Sequence, residues 1–295
     1  RRLYWSAFVA RRVIGQSRYP YASPQRIARD RDRNLRRMVA YAYRHVPYYG
    51  EMFRRLGLTP GDIRTFDDLR RLPLISAEDL QRHPEAFRST EFRLEELLAM
   101  ASSGSTGRPH TVWHDLGSLY TNSTDAERER RMLQAIIGRG YRYRSMSISD
   151  TTGQSSAVNA ATRANALWPR WLALKRATVL ERESLEQMTE RLNRVQPDQL
   201  SGWGSTIAAL FEHLDAQGQP FHRPRIVRYA SDALPASARI MIERKYGCEV
   251  FSVYQAVEAL KLGWECEAHQ GYHINADHYP TRIVDAEGRD VADGD

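Results

Sequence analysis

The fold is decided by the stretch RIVRYASDALPASARIMIERKYGCEVFSVY, residues 225–254, which passes from a strand through a loop and a helix into a second strand. Pro235 stands where the helix begins and Gly247 where it ends, the positions at which these two residue types are enriched. The last segment, CEVFSVY, is rich in β-branched and aromatic residues, which favours a strand. The stretch therefore predicts a strand, a helix and a strand in succession.

The same alternation of helix and strand continues upstream of this stretch. Ser184 and Gln187 have the spacing of a capping box, and the helix that they begin is expected to end at Pro197. The segment SGWGS, residues 201–205, leads into another helix that Gly218 closes. Such alternation is typical of α/β domains with a mostly parallel sheet, whose ligands bind at the carboxyl ends of the strands.

Residues 24–156 are predicted to begin with a helix and to continue with both strands and helices. Apolar residues recur at three- and four-residue steps over 24–43, which is the period of an amphipathic helix. The segments ELLAM (96–100) and TVWHD (111–115) each predict a short strand, and a long polar helix is expected over 117–137. The segment RSMSISDTTGQSS (144–156) predicts a strand followed by a polar loop.

The composition argues against several classes of protein. The 295 residues are 42% apolar, enough to bury a substantial core, and no apolar run is long enough to span a membrane. The net charge of +7 comes from arginines spread along the chain, as in ERERR (127–131), which we interpret as a solvated surface and not as a nucleic-acid interface. A small anionic substrate is compatible with this charge. Because Cys248 and Cys266 cannot make a disulfide framework, we expect a cytoplasmic protein.

In the run ASSGSTGRPH, residues 101–110, nearly every side chain is either absent or a hydroxyl. The run lacks the lysine and hydroxyl residue that end a Walker loop, and the next predicted element is a strand instead of a helix. Glycines let backbone N–H groups converge on an anion, the hydroxyls add donors, and Arg108 can neutralise charge. The run therefore predicts a phosphate-binding loop; the alternative is a flexible surface turn, since serine and glycine dominate ordinary loops.

A substrate pocket is expected near two other predicted strand ends. Trp203, Gly204 and Ser205, together with DTTGQ (150–154), follow predicted strands, and we interpret them as its walls. The alternative for Trp203 is simple packing in the core. No nucleophile elbow or zinc-protease motif occurs in the sequence, which argues against a hydrolase.

Cys266 and His273 are candidate metal ligands. Six residues separate them, and thiolate and imidazole are common ligands of zinc. Two ligands form half of a structural zinc site. The alternative is a buried free thiol and a polar loop histidine.

Four motifs occur in the order and spacing of a known family: ASSGSTGRP, YASDALP (229–235), YGCEVFSVYQAVE (246–258) and residues 265–295. Together with residues 33–80, they make most of the chain resemble the phenylacetate-CoA ligase family of the adenylate-forming superfamily. The resemblance implies the large N-terminal domain of that family, an α/β domain whose mostly parallel sheets are flanked by helices.

The resemblance also implies a division of the chain. Its parts are a helical part of the core over 1–95, an α/β core that binds nucleotide and acid over 96–275, and the start of a β-barrel subdomain over 276–295. The segment TRIVDAEGRDV in the last part predicts a hairpin with its turn at Glu287 and Gly288. Family members continue into a hinge and a small lysine-bearing domain, so we expect this sequence to be part of a longer protein; the alternative is a naturally shortened relative.

An activity follows from the resemblance. Family members use ATP to convert a carboxylic acid into an acyl-adenylate and pyrophosphate, and then pass the acyl group to a thiol such as coenzyme A. A carboxylate is a poor electrophile at neutral pH, AMP supplies its leaving group, and the site stabilises the phosphate charge. We therefore expect ATP, magnesium and coenzyme A as cofactors, an aromatic or compact carboxylic acid as substrate, and neither nucleic acid nor membrane as a partner.

The resemblance assigns the nucleotide pocket to the ends of the two strands predicted within residues 225–254. Ser231, Asp232 and Ala233 match the loop that lies along the adenine. Tyr254 matches the aromatic residue that stacks on the base, and Glu258 matches the acid that binds magnesium.

The glycine run matches the family's phosphate loop, which holds the β and γ phosphates. Thr106 and Arg108 of this loop join Glu258 as the expected catalytic residues, and Arg108 stands where the family often has lysine. The cofactor-binding residues of the loop are Ser102, Ser103, Gly104, Ser105, Thr106, Gly107 and Arg108. Some family members carry a cysteine and a histidine near Cys266 and His273 and bind zinc with a later Cys-x-Cys pair.

The segment YQAVE, residues 254–258, departs from the family pattern of tyrosine, glycine, a small residue, threonine and glutamate. Gln255 replaces the glycine, and Val257 replaces a threonine whose hydroxyl contacts the α-phosphate. Losing such a donor weakens transition-state binding by roughly 1.5–3 kcal/mol. Two alternatives follow: an enzyme that passes the acyl group to a carrier protein or an amine, and a non-catalytic nucleotide-binding relative.

Overall fold

A computed structural model describes residues 1–102, 109–149, 154–167 and 175–291. The helices are α1 (Arg2–Val13), α2 (Pro24–His45), α3 (Pro47–Arg55), α4 (Ala77–Arg82), α5 (Leu116–Asp125), α6 (Arg130–Ile137), α7 (Gln154–Asn165), α8 (Leu185–Val195), α9 (Gly204–Gln217) and α10 (Ala236–Arg244). The strands are β1 (Leu98–Ala101), β2 (Thr111–His114), β3 (Arg144–Ser149), β4 (Lys175–Leu180), β5 (Gln199–Trp203), β6 (Ile226–Ala230), β7 (Glu249–Ala256), β8 (Leu260–Glu265) and β9 (Tyr272–Ile274).

The chain divides into two compact units. Unit 1 contains Arg1–Pro20, Glu95–Met100 and His114–His273. Unit 2 contains Tyr21–Leu94, Ala101–Trp113 and Ile274–Asp295. None of the helices in the described ranges combines the length and the apolarity needed to cross a membrane.

Unit 1 is built around a seven-stranded sheet with the order β4-β3-β5-β6-β7-β8-β9. The strands from β4 to β7 in this order are parallel, whereas β8 is antiparallel to β7. Helices α7, α8, α9 and α10 alternate with these parallel strands along the chain. The α/β fold with a mostly parallel sheet, predicted from residues 225–254, is therefore confirmed.

The two faces of the sheet bury different apolar clusters, because successive residues of a strand point to opposite faces. In β6, Val227 joins the larger cluster, to which α8, α9 and α10 contribute residues such as Leu192 and Phe211. Its neighbour Ile226 joins a smaller cluster with residues of α6 such as Leu133. Strands β6 and β7 are thus covered on both faces, as is typical of the α/β architecture.

The predicted helix ends in unit 1 are confirmed. The Ser184 hydroxyl accepts a hydrogen bond from the Gln187 backbone N–H (3.3 Å), and the Gln187 side chain accepts one from the Ser184 N–H (3.0 Å). Helix α8 ends just before Pro197. Helix α9 is closed by Gly218, whose φ of +63° lies in the left-handed region that glycine adopts without strain.

Unit 2 contains the helix that the sequence predicts over 24–43. Helix α2 runs two residues further, to His45, and its N-terminus is capped by the Ser23 hydroxyl. Helices α2 and α3 bury an apolar cluster that includes Leu35, Val39 and Phe53. Near the end of this unit, Val284 and Asp290 form an antiparallel bridge around the turn at residues 287–288. The predicted hairpin is therefore present, and a single bridge joins its two arms.

Two expectations about residues 117–137 are wrong. The chain forms α5 and α6, which are joined by a 3-10 turn at Ala126–Glu129, and not one continuous helix. The arginines and acids of ERERR do not all face water, since Arg128 and Glu129 are only 3% and 1% exposed. The two departures coincide, since the buried residues Arg128 and Glu129 lie in the 3-10 turn that separates the two helices.

These side chains belong to a charge cluster that comprises Asp125, Arg128, Glu129, Arg228 and Lys261, of which all but the partly buried Arg228 are buried. The Glu129 carboxylate pairs with Arg228 from β6 and with Lys261 from β8. Arg128 Nη2 lies 3.5 Å from Asp125 Oδ1, and Arg128 Nε donates to the Gln16 side chain (2.9 Å). Burial lowers the pKa of Lys261 to about 7, against the opposing effect of the Asp125 charge. Opposite charges offset the cost of burying each one.

Two predicted loops, the one within residues 144–156 and the glycine run, lie partly outside the residues that the structure describes. The strand expected at the start of 144–156 is present as β3, but the polar loop expected to follow it is shorter, because α7 begins at Gln154. Strands β1 and β2 flank the glycine run, as ELLAM and TVWHD predict.

Candidate active site

The carboxyl ends of β5, β6 and β7 lie side by side along one edge of the unit 1 sheet. Trp203, the last residue of β5, is paired with Ala230, the last residue of β6, and β7 is parallel to β6. The strand order reverses at β3, which has β4 on one side and β5 on the other. Ligands of open α/β sheets bind outside the carboxyl ends of the strands at such a reversal. The predicted residues of unit 1 follow these strand ends.

Asp232 is the residue that joins two of the predicted groups. Its carboxylate accepts hydrogen bonds from the backbone N–H groups of Gly204 (2.5 Å) and Ser205 (3.2 Å), and also from the Ser205 hydroxyl. Trp203, at the N-cap position of α9, supplies no side-chain cap of its own. The first N–H groups of a helix need an acceptor, and a negative charge there is favourable. Asp232 therefore caps α9 from the neighbouring loop.

Gly204 allows the two loops to approach this closely. A Cβ atom at this position would lie 2.5 Å from the Leu234 nitrogen and 2.6 Å from the Ala233 carbonyl carbon. Backbone atoms cannot move aside as a flexible side chain can, so only glycine fits here. The predicted adenine loop (231–233) and the predicted acid pocket (203–205) are thus in direct contact, while Trp203 itself is half-buried against the larger core cluster.

We expect Asp232→Ala to lower the free energy of unfolding by about 1–2 kcal/mol, the range measured for lost helix caps. Urea denaturation measures this change. Glu212→Ala is the matched control, because Glu212 lies exposed on the same helix and far from its N-terminus. Equal losses in the two variants would show that Asp232 has no capping role.

Tyr254 is half exposed near the end of β7, with 50% of its surface accessible. The centre of its ring lies 6.0 Å from that of Tyr272, and the two planes are tilted by 50°. The Tyr272 hydroxyl is in turn 2.6 Å from the Ser252 hydroxyl. An exposed aromatic ring at a strand end has the surface that base stacking requires, which fits the expectation for Tyr254.

Glu258 lies on the turn between β7 and β8, which we call the Glu258 turn and define as residues 256–260. The Glu258 side chain is exposed. Magnesium is usually bound through one or two carboxylates together with substrate phosphates and waters, so one accessible carboxylate fits this ion. The side chain of His114 contacts the same turn, with Nε2 lying 2.7 Å from the Val257 carbonyl oxygen.

Of the predicted phosphate loop, Ser102 lies within the described residues and 103–108 lie outside them. The Ser102 N–H donates to the His110 carbonyl (2.9 Å), and the His110 N–H donates to the Ser102 hydroxyl (3.1 Å). The two residues therefore bring together the ends of the glycine run. Residues 150–153 of the predicted pocket also lie outside the described residues.

The described residues do not build a zinc site. No group of three or more potential metal-ligating side chains occurs among them. The His273 ring stacks on Trp264 at 4.6 Å between centres, and Cys266 packs against the smaller core cluster. Burial raises the pKa of the other cysteine, Cys248, to about 12, which disfavours the thiolate that binds metals. Cys266 and His273 stay zinc candidates through the resemblance alone.

The chain has similarity to proteins of known activity over most of its length. The phenylacetate-coenzyme A ligase of Escherichia coli (strain K12) is 26% identical over 280 residues, which cover 88% of the chain and 59% of that enzyme. The phenylacetate-coenzyme A ligase of Thermus thermophilus is 26% identical over 266 residues, covering 86% of the chain and 56% of the enzyme. No protein-family model matches the chain.

The chain is similar to the phenylacetate-CoA ligases. The resemblance that the four sequence motifs indicate is therefore confirmed. The chain spans somewhat more than half of the length of these relatives. A solved structure of 2-hydroxyisobutyryl-CoA ligase, in an open conformation with 2-HIB-AMP and CoA, is similar to this chain with a TM-score of 0.68 and 16% identity. The match covers 90% of this chain and 58% of the ligase chain. This match confirms the fold predicted for the chain.

Two side chains near the site were not singled out by the sequence. His114 lies in a segment for which the sequence predicts a strand and nothing more, and its partner Val257 is 143 residues away along the chain. Tyr272 lies between Cys266 and His273, the two candidate metal ligands, and nothing in the sequence distinguishes it as a partner of Tyr254. Neither residue has a sequence signal of its own that predicts its partner, so only the tertiary structure reveals these contacts.

Proposed function

We propose that the protein uses ATP to activate a carboxylic acid and then transfers the acyl group to the thiol of coenzyme A. The observation that carries this proposal is the similarity to phenylacetate-CoA ligases over 88% of the chain. The fold shared with a CoA ligase supports it. An aromatic or similarly compact acid is the proposed substrate class.

The proposed reaction has two steps that balance. In the first, a carboxylate oxygen attacks the α-phosphate of ATP, and pyrophosphate leaves as the acyl-adenylate forms. In the second, the thiolate of coenzyme A attacks the acyl carbon, and AMP leaves with the bonding electrons. Both steps move negative charge onto phosphate oxygens, so groups that stabilise this charge lower the barrier.

The residues of unit 1 have distinct parts in this proposal. Tyr254 stacks on the adenine, and the loop at 231–233 lies along its edge. Glu258 would hold magnesium, which supplies positive charge to the phosphates when it is bound. Asp232 keeps the N-terminus of α9 in place beside this loop. Thr106 and Arg108 of the glycine run would hold the leaving phosphates through their hydroxyl and guanidinium donors.

A carrier protein or an amine is the second candidate acceptor. The observation that favours it is the replacement of glycine and threonine by Gln255 and Val257 in an otherwise similar motif. These changes lie beside the nucleotide residues and indicate specialisation relative to the coenzyme A ligases.

Pyrophosphate release by the full-length protein, measured across a panel of carboxylic acids with and without coenzyme A, tests the proposal. We expect release that depends on the acid, and an acyl-CoA thioester detectable by mass spectrometry. Acid-dependent release without a thioester would favour the carrier protein or amine. Binding of magnesium-ATP without release for any acid would identify a non-catalytic relative.

A further inference from the structure

The Glu258 turn has an irregular backbone. The pairing of β7 with β8 shifts register between Tyr254 and Gln255, just before the turn begins. The Ala259 N–H donates to the Ala256 carbonyl (3.2 Å), and Leu260 has a φ of +58°, in the left-handed region that residues other than glycine seldom adopt. A backbone of this kind persists only where its surroundings hold it. The contacts that hold this turn therefore decide where Glu258 lies.

His114 makes one of these contacts from a rigid position. It is the last residue of β2 and is 8% exposed. The next residue, Asp115, caps α5 by accepting hydrogen bonds from the N–H groups of Gly117 (2.6 Å) and Ser118 (3.2 Å). The histidine is thus fixed between the end of a strand and the start of a capped helix.

The direction of the hydrogen bond follows from its partner. A carbonyl oxygen can only accept, so His114 Nε2 carries the hydrogen and donates it to Val257. Val257 directly precedes Glu258, and a hydrogen bond to its carbonyl fixes the peptide that joins the two residues. Burial lowers the pKa of His114, against the opposing effects of this hydrogen bond and of the Asp115 and Glu258 charges. The donor does not depend on this balance, because Nε2 carries hydrogen in the charged form as well.

We propose that His114 is a positioning residue, which holds the Glu258 turn through the Val257 carbonyl so that the Glu258 carboxylate is oriented toward magnesium bound with the nucleotide. This proposal rests on the proposed function. Groups that orient a metal ligand by hydrogen bonding change metal affinity about 10- to 100-fold when they are removed.

The test measures ATP binding by calorimetry in full-length protein as the magnesium concentration is varied. His114→Phe keeps a ring of similar size and removes the donor, and we expect the half-saturating magnesium concentration to rise about tenfold. His114→Gln restores a donor and should recover most of the affinity. His114→Leu replaces the phenylalanine variant if that variant does not fold, as judged by circular dichroism and thermal melting.

A matched control is offered by His222, whose Nε2 lies 2.8 Å from the Pro197 carbonyl in the same unit. His222→Phe removes the same kind of bond and should leave the magnesium dependence unchanged. In a Glu258→Gln background, His114→Phe should have no further effect, because the two residues act through one ligand.

The outcomes separate the two proposals. Unchanged magnesium dependence in folded His114→Phe, or an equal shift in the Glu258→Gln background, would overturn the role of His114 and leave the proposed function standing. Failure of the unaltered protein to bind ATP with magnesium would overturn both.

Discussion

Replacing Glu258 with glutamine is expected to lower acid-dependent pyrophosphate release about 100-fold or more, the loss typical of removing one group that stabilises transition-state charge. Glutamine keeps the size of the side chain and removes its negative charge. In the proposed reaction this charge holds the magnesium ion that neutralises the phosphates. The exposed position of Glu258 on its turn makes a large effect on folding unexpected.

The control for this prediction is Glu267→Gln, since Glu267 is also exposed and lies beyond β8 in the same unit. Initial rates of pyrophosphate release at saturating ATP and acid compare the two variants with the unaltered protein. We expect Glu267→Gln to have the rate of the unaltered protein. Undiminished turnover in Glu258→Gln would show that Glu258 does not serve the reaction.

The second large effect is expected on stability. Glu129→Gln should lower the free energy of unfolding by about 3–5 kcal/mol, because it removes the buried anion that Arg228, 15% exposed, and the buried Lys261 share. An arginine stays charged at neutral pH, so the loss cannot be avoided by releasing a proton from Arg228. Urea denaturation of the two proteins measures the difference.

Glu287→Gln is the matched control for this prediction. Glu287 pairs with Arg289 outside the cluster, and the two side chains are 65% and 74% exposed. An exposed pair contributes about 0–1 kcal/mol, so the control should change stability little. The double variant Glu129→Gln with Lys261→Met should lose less than the sum of its single variants, since the two residues interact. Similar losses for Glu287→Gln and Glu129→Gln would show that burial of the Glu129 carboxylate among its cations does not stabilise the fold.

Much of the fold of unit 1 could be predicted because its signals are local. A capping box at Ser184, a glycine at 218 and a β-branched strand at 248–254 each specify one element without reference to the rest of the chain. The order of these elements then predicts the parallel sheet. The strand ends, and with them the region of the candidate site, follow from the same pattern.

The charge cluster and the contact of His114 could not be predicted in this way. ERERR has the composition of a solvated surface, and its burial depends on Arg228 and Lys261, which come about 100 residues or more later in the chain. His114 has no local partner that would distinguish it from other strand residues. In both cases, the partners are set by the tertiary fold and leave no periodic signal in the sequence.

Formation of an acyl-adenylate is the step on which the proposed function depends. Exchange of labelled pyrophosphate into ATP measures this step alone, since it requires reversible formation of the adenylate and needs no acceptor. We predict exchange that depends on a carboxylic acid, proceeds without coenzyme A and is lost in Glu258→Gln. Binding of ATP and magnesium by the full-length protein, with no exchange for any acid of a broad panel, would contradict the proposed function.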